Sequence, residues 1–370
     1  MKTHFLPCLP ENFDFHGNYE VPVVIFPARL SRRNNLSACD ILPLVGSNID
    51  FSHLEMYMVE KNGSLYFCRA TPGQAAEWMA NHGLQNLYET FLGRLTKTRK
   101  PYAGLRLDQP RIMGIINVTP DSFYAASRVE SVSAVDVALR MVDEGVDIID
   151  IGGESTRPNS SPTSIQEEFD RVLPVVERLK DCGAVISVDT RRTSLMDAVI
   201  QAGATVINDV NGLRDEGAVE LIAQNPKVSA VLMHSVGTPN TMQDSPFYFN
   251  TRYQIFCYLM NRVDICEKLG IARERLAVDP GFGFGKSTMH NMDILQRISV
   301  FHGTGCAVLS GLSRKSFIGD LINEENVSAR LPATIAATVT AQSQAVQLHR
   351  VHDVKQVKQA LLFNHRLMYD

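Results

Sequence analysis

The chain has 370 residues, of which 45% are hydrophobic and 21% charged, a composition typical of a soluble globular protein. Its formal net charge of −4 at pH 7, with no basic stripe, argues against nucleic-acid binding. We expect no membrane span, because no run of about 18 apolar residues occurs. The opening residues lack the apolar core of a signal peptide, and the seven cysteines form no Cys-x-x-Cys pair. We therefore expect free thiols in a reducing cytoplasm.

The first hundred residues have the pattern of a small α+β unit. Residues 21–26 are predicted to form a short strand. Residues 54–59 and 64–68 flank Asn62-Gly63, and Asn-Gly between two alternating runs is a strong signal for a β-hairpin. Residues 72–96 are predicted to be one helix, with their apolar side chains on one face. We thus predict an N-terminal extension over residues 1–105.

From residue 111 onward, apolar runs recur at regular intervals, and each is followed by polar residues. The polar positions advance by 19 to 45 residues from Asn117 to Arg350, and one parallel β/α unit needs roughly 30. Continuous apolar strands are typical of parallel sheets buried on both faces. Eight strands are predicted, at 112–118, 146–151, 184–189, 205–209, 230–234, 276–279, 307–312 and 346–351. The pattern indicates the α/β class and a (β/α)8 TIM barrel over residues 106–370, with its active site at the C-terminal ends of the strands.

Two breakers fall within the helical pattern of this region. The first helix has Val135, Ala138 and Val142 on one face and should end at Gly145, because glycine favours the left-handed conformation after a helix. The second helix contains Pro174, which we expect to kink it or to restart it.

The polar strings at the strand ends are specific when taken together and in order. They are Asn-Val-Thr-Pro-Asp-Ser-Phe from Asn117, Gly-Gly-Glu-Ser-Thr-Arg-Pro from Gly152, Asp-Pro-Gly-Phe-Gly-Phe-Gly-Lys from Asp279, Gly-Leu-Ser-Arg-Lys-Ser-Phe-Ile-Gly from Gly311 and Arg-Val-His-Asp-Val from Arg350. Over residues 111–370 the chain resembles the dihydropteroate synthases of the pterin-binding barrel family. That family joins 6-hydroxymethyl-7,8-dihydropterin pyrophosphate to 4-aminobenzoate, which gives 7,8-dihydropteroate and pyrophosphate.

The resemblance places the pterin ring among Asp279, Asp189, Asn208 and Lys315. A pterin presents a 2-amino group and a ring N–H side by side, and a carboxylate can accept both hydrogen bonds at once. Asp279 matches the family residue that does this. Asparagine can donate and accept together, which suits Asn208 to an edge of the pterin that carries both donors and acceptors. The resemblance also places Lys315 near the reacting centre, so that Lys315, Asp279 and Arg350 are the candidate catalytic residues.

The pyrophosphate is assigned by the resemblance to Asn117, Thr156, Arg350 and His352. Arginine offers a planar fork that suits phosphate, and the loop after strand eight of a barrel commonly binds phosphate. Asn117 matches the family position that holds Mg2+, an ion that keeps several waters and relies on substrate phosphates. Asp353 is expected to cap the helix that follows.

The 4-aminobenzoate site is assigned by the resemblance to Phe123, Arg157, Pro158 and Ser316. Ser316 and nearby backbone N–H groups would bind the carboxylate. The amine is nucleophilic when neutral, so the expected path is departure of pyrophosphate and then attack by the amine. Catalysis on this path is mostly positioning and stabilisation of the leaving charge. The family also implies a homodimer that acts on these small molecules.

The chain departs from the family pattern in the first loop, where Ala125 stands in place of an expected acidic residue. Two alternatives to a synthase therefore stay open at this point: a pterin-dependent methyltransferase, and a degenerate relative that binds pterin without catalysis. The glycine-rich run from Gly281 to Lys286 lacks a Walker pattern, and we interpret it as flexible backbone around the pterin.

Overall fold

The computed structural model describes residues 3–15, 22–33, 40–118, 127–154, 163–237 and 246–369, with the backbone alone at 127–132 and 369. The N-terminal elements are strands β1 (Thr3–Phe5), β2 (Val23–Arg32), β3 (Leu42–Pro43), β4 (Ile49–Val59) and β5 (Leu65–Ala70), then helices α1 (Pro72–Asn81) and α2 (Gln85–Thr96). The sheet order is β1-β5-β4-β2, with β3 also on β4. The predicted hairpin is confirmed, since β4 and β5 are antiparallel across Asn62-Gly63.

The prediction of one helix over residues 72–96 was wrong, because the chain breaks it at Gly83. This glycine has a φ of +70°, which continues no right-handed helix. The Leu84 N–H then bonds back to the Met79 carbonyl at 2.7 Å, an arrangement that closes a helix C-terminus. The apolar face continues beyond this break, and for that reason the sequence pattern concealed it.

The barrel prediction is confirmed by eight parallel strands that close on themselves in chain order, with the last paired to the first. Observed and predicted strand ends differ by at most two residues. The strands are β6 (Arg111–Asn117), β7 (Ile148–Gly152), β8 (Val185–Asp189), β9 (Val206–Asp209), β10 (Ser229–Met233), β11 (Leu276–Asp279), β12 (Ala307–Ser310) and β13 (Leu348–Val351).

Helices surround the barrel and connect its strands. They are α3 (Ser127–Asp143), α4 (Ile165–Leu179), α5 (Thr193–Ala202), α6 (Ala218–Gln224), α7 (Thr251–Lys268), α8 (Thr288–Gln296), α9 (Ser316–Ile322), α10 (Leu331–Gln342) and α11 (Val354–Tyr369). Gly145 follows α3 with a φ of +84°, as predicted. The α4 helix runs through Pro174 without restarting. Pro174 lies on its exposed side, while Val172 and Val176 anchor the buried side.

The N-terminal unit packs against the outside of the barrel. Aromatic pairs join the two parts: Phe26 lies 5.0 Å from Phe256 of α7, and Tyr57 lies 5.7 Å from Tyr253, between ring centroids. The buried carboxylate of Glu55 also lies 3.6 Å from the guanidinium of Arg297. The N-terminal sheet is therefore fixed to the barrel by apolar contact and by charge.

The segment between the two parts closes the N-terminal end of the barrel. Tyr102 and Leu105 exchange backbone hydrogen bonds at 2.9 and 2.8 Å, and the Tyr102 ring packs among the strand residues at that end. Because these residues cover the N-terminal end of the barrel, the active site is expected at the opposite end, where the strands finish. None of the described helices is long and apolar enough to cross a membrane.

Candidate active site

A buried carboxylate, Asp150 of β7, organises the C-terminal end of the barrel. It accepts hydrogen bonds from Ser187 Oγ at 2.6 Å, from Asn208 Nδ2 at 3.1 Å and from Arg350 Nε at 2.6 Å. These donors come from β8, β9 and β13, so one carboxylate ties together strands on opposite sides of the barrel. Sequence reasoning missed Asp150, although a charged residue within the apolar run 146–151 was a usable signal.

Arg350, predicted to bind pyrophosphate, lies between two carboxylates in this structure. Besides the bond to Asp150, its Nη2 donates to Asp189 Oδ2 at 2.8 Å. Burial opposes the guanidinium charge, but Asp150 and Asp189 outweigh it and raise the pKa of Arg350. The arginine is thus held as a permanent cation at the centre of the site.

Asp189 stands at the end of β8, close to the predicted magnesium ligand. Burial raises the pKa of Asp189; Arg350 opposes the rise and Asp150 adds to it. A methyl group placed on Gly152 would lie 3.5 Å from Asp189 Cβ and 3.8 Å from Asn117 Oδ1. Gly152 has no side chain, so Asp189 and Asn117 lie on either side of an open position at the strand ends.

Asp279, the predicted pterin carboxylate, ends β11 and is 5% exposed. Its Oδ1 accepts the Gly281 N–H at 2.7 Å, while Oδ2 has no hydrogen-bond partner among the described residues. Burial raises the pKa of Asp279, against the effects of the Gly281 bond and of Lys315. A methyl group on Gly311 would come within 3.6 Å of Oδ2, so this glycine preserves space beside the open oxygen.

Lys315 follows β12 and lies close enough to Asp279 for each charge to act on the other. Its Nζ lies 4.3 Å from the centroid of the Phe284 ring, a cation–π contact that holds the side chain over the loop after β11. Burial and then Arg350 lower the pKa of Lys315 to about 8, while Asp279 and Asp189 oppose the change. The lysine can therefore donate hydrogen bonds in either protonation state.

The glycine-rich run after β11, which we interpreted as flexible backbone around the pterin, receives hydrogen bonds from a buried lysine of the same run. The buried Lys286 Nζ donates to the Gly281 carbonyl at 2.8 Å and to the Phe284 carbonyl at 2.9 Å, and lies 3.0 Å from His234 Nδ1. Burial lowers the pKa of Lys286 to about 7. Burial and Lys286 lower the pKa of His234 to about 2, so the imidazole is neutral and accepts the bond. One lysine thus pins the loop that carries Asp279.

His352, predicted to contact pyrophosphate, is held by Ser313. The Ser313 Oγ lies 2.9 Å from His352 Nδ1 and accepts the His352 backbone N–H at 3.2 Å. The Ser313 hydroxyl can donate to Nδ1 when the ring proton is on Nε2, or accept from Nδ1 in the other tautomer. Burial lowers the pKa of His352 to about 4, which keeps the ring neutral at pH 7.

The remaining predicted residues divide into those the structure describes and those it does not. Ser316 is exposed at the first turn of α9. Asp353 precedes α11, and its carboxylate accepts from Arg314 Nε at 2.9 Å while its carbonyl accepts the Val357 N–H. The predictions on Phe123, Ala125, Thr156, Arg157 and Pro158 concern residues outside the described part of the chain.

The start of the second loop is tied to the third loop by an ion pair that sequence reasoning missed. Glu154 binds Arg191 through two contacts, Oε2 to Nε at 3.0 Å and Oε1 to Nη2 at 3.2 Å. A second contact joins Glu154 to Arg192 at 3.4 Å. Arg191 and Arg192 directly follow the strand-end Asp-Thr in the sequence. Two adjacent cations at the end of one strand, and a glutamate at the end of the preceding strand, could have indicated this contact.

The sequence model of a family described as pterin binding enzymes matches residues 113–352. The chain belongs to the pterin-binding enzyme family. It is 42% identical over 259 residues to the dihydropteroate synthase of Escherichia coli K12, an alignment that covers 70% of this chain and 91% of that protein.

Solved structures of pterin-binding enzymes superpose on the same part of the chain. One is a Yersinia pestis dihydropteroate synthase in a sulfonamide drug complex, with 40% identity and a TM-score of 0.68, covering 72% of this chain and 97% of that one. Another is the Xanthomonas albilineans enzyme with 4-aminobenzoic acid, with 41% identity and a TM-score of 0.68 at the same coverage. The family match includes every strand-end residue from Asn117 to His352, whereas the N-terminal sheet lies before it.

Proposed function

We propose that the C-terminal end of the barrel is where this chain carries out dihydropteroate synthesis, the transferase reaction of its relatives. The substrates are 6-hydroxymethyl-7,8-dihydropterin pyrophosphate and 4-aminobenzoate. The observation that carries the proposal is the buried Asp279 with one carboxylate oxygen open, close enough to Lys315 and Arg350 for both cations to act on it. The 4-aminobenzoic acid in the Xanthomonas albilineans structure supports the second substrate.

The pterin is proposed to bind with its 2-amino group and ring N–H on Asp279. A carboxylate accepts two parallel donors in a charge-assisted pair, and Oδ2 has room for the new bond. Asn208, already oriented by its bond to Asp150, offers its amide oxygen to a pterin donor. Lys315 donates from the Phe284 side to a ring acceptor, and Asp189 contributes a further acceptor.

The pyrophosphate is proposed to lie on Arg350 and His352. Arg350 uses Nε and Nη2 for the two aspartates, which leaves Nη1 without a partner among the described residues. Nη1 can then donate to a phosphate oxygen while the aspartates hold the fork in place. In the tautomer with its proton on Nε2, His352 donates a hydrogen bond to a second oxygen. Thr156 adds a contact by family resemblance.

Magnesium is proposed as the cofactor, bound to Asn117. The donor chemistry fits, because a carboxamide oxygen is a hard ligand and Mg2+ typically takes few protein ligands beside substrate phosphates and water. Among the described residues no cluster of three histidine, cysteine, aspartate or glutamate side chains is placed to hold a metal ion. When bound, the ion would neutralise charge on the departing pyrophosphate.

4-Aminobenzoate is proposed to bind at the open mouth of the barrel, with its carboxylate on the exposed Ser316. Phe123, Arg157 and Pro158 complete this pocket by family resemblance. The bond between the pterin methylene carbon and the pyrophosphate oxygen breaks first, and its electron pair leaves with pyrophosphate. The amine nitrogen then bonds to that carbon and loses a proton. The chain's residues position both groups and stabilise the departing charge.

Release of pyrophosphate, measured with and without 4-aminobenzoate, tests the proposal. A synthase forms dihydropteroate only when both substrates are present, and over many turnovers it then releases one pyrophosphate for each dihydropteroate formed. Tight pterin binding without product, in protein with an intact circular dichroism spectrum, would favour the degenerate relative. Methyl transfer to an acceptor would favour the methyltransferase.

We further propose that the chain works as a homodimer in the cytoplasm. Apolar side chains are exposed on α9 and α11, which both pack on α10, and they include Leu321, Ile322, Phe363 and Leu367. Exposed apolar patches of this kind are typical of interaction surfaces. The six described cysteines are free thiols, as expected in a reducing compartment. Sedimentation velocity of the Phe363→Ser variant beside the parent tests the dimer.

A further inference from the structure

A cavity of about 390 Å3 lies where the N-terminal unit meets the barrel. Its walls come from α2, from residues 97–107 and from the barrel at Arg273, Gly305 and Ala307. Ala307 is the first residue of β12, whereas Lys315 follows the other end of that strand. This space, which we call the seam cavity, is therefore at the opposite end of the barrel from the proposed substrate site. Its volume is in the range of small-molecule sites.

The walls of the seam cavity carry an excess of positive charge. The cations are Arg94, Lys97, Arg99, Lys100 and Arg273, against the carboxylates of Glu89 and Glu274. Two of these cations are neutralised, since Lys100 pairs with Glu274 at 2.9 Å and Arg273 pairs with neighbouring carboxylates of α7. Within the described part of the chain, Arg94, Lys97 and Arg99 have no carboxylate at ion-pair distance.

Arg99 is fixed in place without any neutralising partner. Its guanidinium donates to the carbonyls of His302 at 2.8 Å and Cys306 at 2.9 Å. Carbonyl oxygens orient the group but carry no net charge. Burial lowers the pKa of Arg99 to about 10, as expected for a cation that lacks a counter-ion.

Arg94 lies beside Arg99 and has no direct ion pair with a described residue, although Asp264 and Glu267 are near enough to favour its charge. Its guanidinium carbon lies 5.7 Å from the centroid of the Phe91 ring, and Nη1 lies 3.7 Å from Met260 Sδ. Burial and the nearby Arg273 lower the pKa of Arg94. Two oriented guanidinium groups and the exposed Lys97 thus line one small space and outnumber Glu89, the carboxylate on its wall that forms no ion pair among the described residues, so the space favours an anion.

We propose that the seam cavity binds a small multivalent anion of the phosphate or polycarboxylate kind, held by Arg94, Lys97 and Arg99. Guanidinium groups match both kinds of oxyanion through paired N–H donors. Because Arg94, Lys97 and Arg99 precede the part of the chain that matches the pterin-binding family, the site belongs to the N-terminal extension. It gives that extension a role that does not depend on the reaction proposed above.

Calorimetric titration of the full chain with inorganic pyrophosphate and with citrate tests this site. The variant Arg94→Gln/Lys97→Gln is compared with Arg178→Gln/Lys227→Gln, which removes the same charge from exposed positions elsewhere. We expect saturable binding of at least one anion, weakened about tenfold or more by the first pair and changed by less than about twofold by the second. Preference for pyrophosphate or citrate identifies the kind of anion. The seam variant leaves the proposed substrate site intact, so binding there is the same in both variants.

Several outcomes would overturn the proposal. These are an absence of saturable binding at millimolar anion, an unchanged dissociation constant in the seam variant, or equal weakening in both variants. The single variant Lys97→Glu, at an exposed position, repeats the test by charge reversal if the double variant does not fold. If the parent protein binds the anion but shows no synthase activity, that result would count against the proposed function alone.

Discussion

The guanidinium of Arg350 binds the fully buried carboxylate of Asp150, with 2.6 Å between Nε and Oδ2, although 200 residues separate them in the chain. This contact links the last strand of the barrel to the second. It also positions the cation that we propose for pyrophosphate, so the stability of the barrel and its chemistry depend on the same pair.

We predict that Asp150→Asn destabilises the protein and weakens its activity. Removing one partner of a buried ion pair typically costs about 3–5 kcal/mol, and we expect the low end of that range here because Asp189 still pairs with Arg350. Urea unfolding measures the loss, and steady-state kinetics should show a raised KM for the pterin pyrophosphate. Ser187→Ala is the matched control, because it removes one hydrogen bond to the same carboxylate at a cost of about 1 kcal/mol. Equal destabilisation by the two variants would show that the ion pair contributes no more to the free energy of unfolding than the single hydrogen bond from Ser187.

Asp279→Asn should weaken pterin binding while the fold stays intact. The amide turns one acceptor into a donor, so one pterin N–H loses its partner in a buried site. An unpaired buried polar group costs about 1–3 kcal/mol, which corresponds to roughly a fivefold to 150-fold rise in Kd. Calorimetry with the pterin alcohol measures this directly. An unchanged Kd would remove Asp279 from the pterin site.

Arg350→Ala should impair binding of the pyrophosphate ester far more than binding of the pterin alcohol. The two ligands share the ring and differ in the phosphates, so their ratio isolates the part of the affinity that comes from phosphate recognition. The variant also leaves Asp150 and Asp189 without their cation, so its free energy of unfolding must be measured alongside. If both ligands lose affinity to the same extent, Arg350 acts through the structure of the site alone.

The order of elements was predictable from sequence because strand-end polar residues recur with the period of a β/α unit. The contacts inside the site were not, because they depend on which side chains of distant strands converge. Asp150 is one of two aspartates within the apolar run 146–151, and only the closed barrel brings Ser187, Asn208 and Arg350 to it. Lys286 stood in a glycine-rich string, and the sequence did not reveal that its ammonium group folds back onto the carbonyls of that string.

The last prediction concerns Lys286 and the pH dependence of stability. Its pKa is about 7 in the folded chain and near 10.5 when unfolded, so the unfolded state binds more protons between these values. Stability must then rise as the pH increases through this window, with a slope of at most about 1.4 kcal/mol per pH unit from this group. Below pH 7 both states are protonated and the slope vanishes.

Lys286→Met should remove this slope while also loosening the loop that carries Asp279. Urea unfolding of the parent and the variant at pH 6, 7.5 and 9 provides the comparison. The difference in free energy of unfolding should grow with pH, because the neutral amine keeps its bonds to the Gly281 and Phe284 carbonyls without the cost of a buried charge. Lys268→Met, at an exposed position, controls for loss of a lysine in general. A difference that stays constant across the three pH values would mean that Lys286 keeps its ordinary pKa in the folded protein.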